Sequence, residues 1–127
     1  MLKYALRLEA LNVNHCNLGA EGAAALAVAL PSLPRLTRFS AYANGIGARG
    51  ARALVTGLVA AGGDSALEHL DLRTNDVRGA VAGALVRQLA AGCPKLKTLD
   101  LGALWICFGA LSSIYTCMSH GHFAAYT

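Results

Sequence analysis

Residues 67–77 read LEHLDLRTNDV, with apolar side chains at Leu67, Leu70, Leu72 and Val77 and an asparagine at position 75. This spacing matches neither a helix of period 3.6 nor a strand that alternates throughout. The same frame returns at 8–18 (LEALNVNHCNL), at 36–46 (LTRFSAYANGI) and in part at 96–106 (LKTLDLGALWI). The units start at Leu8, Leu36, Leu67 and Leu96, so the intervals are 28, 31 and 29 residues. A recurring interval of this length indicates stacked supersecondary units that share one apolar interior.

The register runs on past the frame. Leu18 is followed by Gly22, Leu26 and Leu30, Ile46 by Gly50, Leu54 and Leu58, and Val77 by Val81, Leu85 and Leu89. Leu70 and Leu72 are two apart, so in a short strand both point inward while His69, Asp71 and Arg73 point outward. Leu67 and Val77 enter the same interior from the flanking turns. An asparagine at 75 carries both a donor and an acceptor, and when buried it can bond backbone groups freed where the chain leaves the strand. Asn44 and Asn75 fit such a ladder, with Cys16 in the equivalent place of the first unit as a weaker partner. The alanine-rich segments that follow suit helices that sit close to a sheet. Pro31 and Pro34, Gly62 and Gly63, and Gly92 with Pro94 are positioned to stop them.

The LxxLxLxxNxL frame and the trailing GAEGAAALAVAL, GARGARALVTGL and RGAVAGALVRQL resemble the leucine-rich repeat family, and within it the ribonuclease-inhibitor-like class with its long, helix-bearing repeats. The resemblance covers roughly residues 8 to 101 and implies an α/β solenoid, a horseshoe segment with parallel strands on the concave face and helices on the convex face. Such scaffolds serve inhibitors, activators of small GTPases, innate immune sensors and cytoskeletal caps, so the resemblance implies a fold more sharply than a function. The expected organisation is a repeat array over 1–101 and a divergent apolar tail over 102–127.

Outward positions of adjacent strands form columns across the units. One reads Ala10, Arg38, His69, Thr98, the next Asn12, Ser40, Asp71, Asp100, and the third Asn14, Tyr42, Arg73, Gly102. The surface is polar and holds one aromatic and two arginines, residue types that concentrate binding energy. The expected function is non-catalytic binding of a protein partner through Asn12, Asn14, Arg38, Tyr42, His69, Asp71 and Arg73. The alternative is a fragment of a larger regulator, of GTPase-activating or immune-sensor type, with no activity of its own. His69, Asp71 and His15 offer acid and base groups, but no nucleophile stands beside a base and no phosphate loop follows a strand, so no enzyme is expected.

Composition adds bounds. The 127 residues are 55% hydrophobic and 14% charged, which suits one domain with a continuous core. The net charge of +4 is too small to imply a nucleic-acid partner, and Arg49, Arg52, Arg78 and Arg87 read as solvated charges on outer helix faces. No secretory leader is recognised at the start, where Leu2 and Leu6 read as the end of a preceding helix. Cys16, Cys93, Cys107 and Cys117 are expected to be buried free thiols in a reducing, cytoplasmic setting. Neither a cofactor nor a metal is expected.

The frame fails after Leu101. No Lys, Arg, Asp or Glu occurs from there to the end, and the glycine-leucine register is lost. The plainest expectation is an interrupted array with an irregular apolar cap. Behind it stand a membrane span over 101–118, a metal site from Cys117, His120 and His122 with Cys107, and a tail that packs on another chain. A membrane partner is not expected. An array with little polar capping is expected to be marginal alone or to associate end to end.

Overall fold

In a computed structural model of the chain, the described residues are 7–60 and 64–102, together with the backbone of 104–108, 114–118 and 123–126. Strands and helices alternate: β1 (Ala10–Asn12), α1 (Gly19–Ala29), β2 (Arg38–Ser40), α2 (Gly47–Val59), β3 (His69–Asp71), α3 (Gly79–Gly92) and β4 (Thr98–Asp100). The four strands pair in parallel and in chain order, with Leu11, Phe39, Leu70 and Leu99 in one row. This is the leucine-rich repeat solenoid: a parallel sheet on one side and a layer of helices on the other.

The frame leucines make the interior. Leu36, Leu67 and Leu96 are buried at the strand entries, Ala41, Leu72 and Leu101 at the exits, and Ile46 and Val77 where the chain turns toward the next helix. In the second unit the larger Phe39 is followed two residues on by the smaller Ala41, where the third has Leu70 and Leu72, so the bulk of Phe39 makes up part of what Ala41 lacks. From the other side α2 contributes Ala51, Leu54, Val55 and Leu58, and α3 contributes Ala82, Leu85, Val86 and Leu89.

Small residues set how closely the helices pack. A methyl group added at Gly57 would stand 2.4 Å from the Ala27 carbonyl oxygen, so α1 and α2 touch backbone to backbone at this point. Gly92 likewise makes room between α2 and α3, here for the Val59 side chain, which a methyl group would meet at 2.5 Å. The helix ends differ slightly from the expected stops. Leu30–Ser32 forms a 3-10 turn that runs through Pro31, because proline is tolerated in a first turn where its missing N–H has no partner to lose. Helix α2 ends at Val59, and Gly62 and Gly63 lie outside the described residues, as do Leu2 and Leu6.

Each strand-to-helix corner passes through left-handed backbone. His15, Ala43 and Thr74 have φ of 55°, 56° and 57°, and Asn17, Gly45 and Asp76 repeat the conformation two residues later. At Gly45 it costs nothing, whereas at Ala43 and Thr74 it stores strain that neighbouring bonds must offset.

The tail departs from the expected irregular cap. Its described backbone forms β5 (Leu104–Phe108), β6 (Ile114–Met118) and β7 (Phe123–Tyr126), and each pairs antiparallel with the strand before it, beginning on β4. Aromatic and branched residues in LWICF and IYTCM favour extended chain. Gly102, at φ of 94°, lies at the reversal from β4 to β5. Residues 101–118 therefore do not form one helix, and among the described residues no helix is long and apolar enough to cross a membrane. The metal site on Cys117, His120 and His122 falls outside the described residues, with Cys107 and Cys117 described in backbone alone. Among the described residues no group of His, Cys, Asp or Glu is placed to hold a metal ion.

Candidate functional site

The parallel register carries the outward side chains into rows. Ala10, Arg38, His69 and Thr98 stand side by side, and so do Asn12, Ser40, Asp71 and Asp100. Beyond the strands the backbone ladder continues: the N–H groups of His15 and Ala43 donate to the carbonyls of Tyr42 and Arg73, at 3.0 Å each, which aligns Asn14, Tyr42 and Arg73. Sequence spacing dictates these rows because every unit enters its strand with the same phase.

Several of these side chains also shape the backbone that presents them. Asn12 Oδ1 accepts the N–H of Asn14 at 2.9 Å, Asp71 Oδ1 that of Arg73 at 3.0 Å, and Asp100 Oδ1 that of Gly102 at 2.9 Å. Such bonds to the residue two positions on are the habit of Asn and Asp at turns. Ser40 has no equivalent oxygen in reach. Instead Asn14 Oδ1 crosses from the first unit and accepts from both the Ser40 hydroxyl and the Tyr42 N–H, at 2.7 Å each. Asn14 is therefore partly a strut between units.

Tyr42 lies at the centre of a cluster built by three units. The His15 ring meets it edge-on, with centroids 4.8 Å apart and planes at 88°. The Arg73 guanidinium stands 5.0 Å from its ring centre, within range of a cation-π contact. Arg73 is itself held by Asp71: Nε lies 3.0 Å from Oδ1 and Nη2 2.8 Å from Oδ2, a two-pronged pair. Asp100 Oδ2 is 3.4 Å from Arg73 Nε. The Asp71 bond, followed by the Asp71 charge, holds the Arg73 guanidinium above its already high range. Burial pushes the Asp100 carboxyl up, partly opposed by the Gly102 N–H. One guanidinium is thus shared by two carboxylates.

On the strand-entry side His69 Nδ1 is 2.7 Å from Thr98 Oγ1. Beside it the Lys97 ammonium bonds Glu68 and holds that carboxyl below its ordinary range. Arg38 is exposed and makes no ion pair among the described residues. The acid and base that His69 and Asp71 offer are not coupled: the Asp71 carboxylate is bound to Arg73, and the His69 ring to Thr98. Arg38, Ser40, His69, Asp71 and Asp100 together line one open hollow on the strand face.

Behind the face lies the asparagine ladder. Asn75 Oδ1 accepts from the N–H groups of Asn44 at 2.8 Å and Ile46 at 3.4 Å, while Nδ2 donates to the carbonyls of Ala41, Leu72 and Arg73. Asn44 repeats the pattern one unit earlier, with Oδ1 accepting from Cys16 and Leu18 and Nδ2 donating to Val13 and Tyr42. These bonds pin the left-handed corners. Cys16 is exposed rather than buried, since among the described residues no unit covers its side, and its thiol reaches only the Asn14 carbonyl, at 3.5 Å. Cys93 is buried, and burial pushes its thiol up.

Asp100 and His15 belong to the cluster although neither was among the expected binding residues. Asp100 was legible as the last member of its column. The contact of His15 with Tyr42 was not, because it depends on how the first corner folds back.

A family model for the leucine-rich repeat matches residues 8–27, which span β1, the first corner and most of α1. No curated protein matches the chain.

Proposed function

We propose that this protein is a non-catalytic interaction module that binds a protein partner on its concave strand face, with Tyr42 and Arg73 as the anchors. Leucine-rich repeats are scaffolds for such contacts, and the match over residues 8–27 supports that general role. The observation that carries the finer reading is the state of Tyr42. Its ring is fixed by His15 on one side and by a guanidinium already clamped to Asp71 on the other. An aromatic group held in place loses little side-chain entropy when a partner covers it, and partners gain most from such pre-ordered anchors. Helices of 11, 13 and 14 residues support assignment to the ribonuclease-inhibitor-like class, and a cytoplasmic location fits this reading.

The test uses a displayed random-peptide library selected on the full chain. Ligands chosen on the wild type should lose affinity about tenfold or more on a Tyr42→Ala, Arg73→Ala double variant whose circular dichroism is unchanged. Unchanged affinity across all selected ligands would move the binding surface to the helices or the tail.

A further inference from the structure

Of the charged side chains that line the hollow, Arg38 makes no ion pair among the described residues and Asp100 makes only a shared one. On the strand-exit rim, Arg73 is clamped by Asp71 and Arg78 by Asp76, the latter at 2.7 Å. Asp100 is left with only the outlying 3.4 Å contact to a guanidinium already in use. On the strand-entry rim Lys97 is taken by Glu68, and Arg38 is left exposed on the face itself. Asp100 therefore shares one guanidinium with Asp71, Arg38 feels the Glu68 charge without forming an ion pair to it, and both line the same hollow.

We infer that the concave face receives an extended protein segment with an acidic and a basic side chain four positions apart, the acid on Arg38 and the base on Asp100. This deepens the concave-face reading and rests on it. The spacing follows from sheet geometry. Arg38 and Asp100 lie two strands apart and differ by two positions along the strand, so strand spacing and rise put them roughly 12 Å apart. In an extended segment, residues four apart point to the same side and are separated by about 13 Å. The strand between them carries His69 and Asp71, each already bonded to a neighbour, Thr98 and Arg73, so the backbone of such a segment would pass over them. Asp100 is primed for a cation because burial has already removed part of its water, and Arg38 presents a planar donor fork suited to a carboxylate. A segment of one sign would leave one of the two groups facing its own charge.

The same peptide library, selected separately on three proteins, decides the matter. On the wild type, enriched ligands should pair Asp or Glu with Lys or Arg three residues removed in between. On Arg38→Glu the acidic position should turn basic. On Asp100→Asn, which keeps the oxygen that accepts from Gly102, enrichment of the basic position should fall about fivefold or more. Wild-type ligands that depend on Tyr42 and Arg73 but lack the charge pair, or a pattern unchanged in both variants, would overturn this inference and leave the concave face as the binding surface. Ligands indifferent to Tyr42 and Arg73 would overturn both readings.

Discussion

Replacing Asn75 with alanine removes an acceptor for two N–H groups and a donor to three carbonyls, all in a site where the side chain is 2% exposed. The two shortest bonds cross between units, to the Asn44 N–H at 2.8 Å and the Ala41 carbonyl at 2.7 Å. Alanine leaves both partners buried without a substitute, and an unsatisfied buried backbone group costs about 1–3 kcal/mol. Taking a middle value for these two, and treating the longer bonds as small additions, the loss is about 3–5 kcal/mol. That is a large part of the roughly 5–15 kcal/mol that holds a domain folded. The control is Asn14→Ala. Asn14 also accepts two bonds of 2.7 Å, but at a half-buried place where water can replace it, so the expected loss is about 1 kcal/mol. Equilibrium urea unfolding of both variants measures the difference. Asn75→Asp should be no better than alanine, because a carboxylate would face three carbonyl oxygens. A midpoint shift for Asn75→Ala no larger than that for Asn14→Ala, or a well-tolerated aspartate, would refute the account of the ladder.

Helix spacing gives a pair of opposite outcomes: Gly57→Ala should destabilise by about 1–3 kcal/mol through overpacking against Ala27, while Gly83→Ala, whose nearest neighbour is Arg87 Nη2 at 3.8 Å, should stabilise by about 0.5–1 kcal/mol. Urea midpoints moving in the same direction would count against the close backbone approach. For Asp100 the folded carboxyl titrates above its unfolded value, chiefly through burial, so its contribution is fully present below the unfolded pKa and is lost as pH rises through the folded one. The stability of Asp100→Asn relative to wild type should therefore grow as pH is raised from about 3 to about 7, and a difference that shrinks would contradict the sign. Thiol labelling of the native protein near neutral pH, mapped by mass spectrometry, should modify Cys16 well before Cys93, and equal rates would contradict the burial of Cys93.

What the amino-acid sequence determined by itself is the phase. Leucines at fixed offsets from Leu8, Leu36, Leu67 and Leu96 decide which side chains point inward. Because the units repeat, the same offsets decide which outward residues become neighbours, so the row Arg38, His69, Thr98 could be written before any coordinate was known. Burial is a property of period and hydrophobicity, and both are local. The tertiary structure alone decided the partners. Arg73 could have paired with Asp71 alone, with Asp100 alone, with both or with neither, and the sharing found depends on ångström differences set by how β3 and β4 pair and twist. Asn14 supports Ser40 and Tyr42 because the second unit has a serine where the others have Asn or Asp, a need visible only when two units lie side by side. In the tail the composition signalled a break from the repeat, but the antiparallel pairing of β5 with β4 depended on an edge that exists only after the sheet has formed.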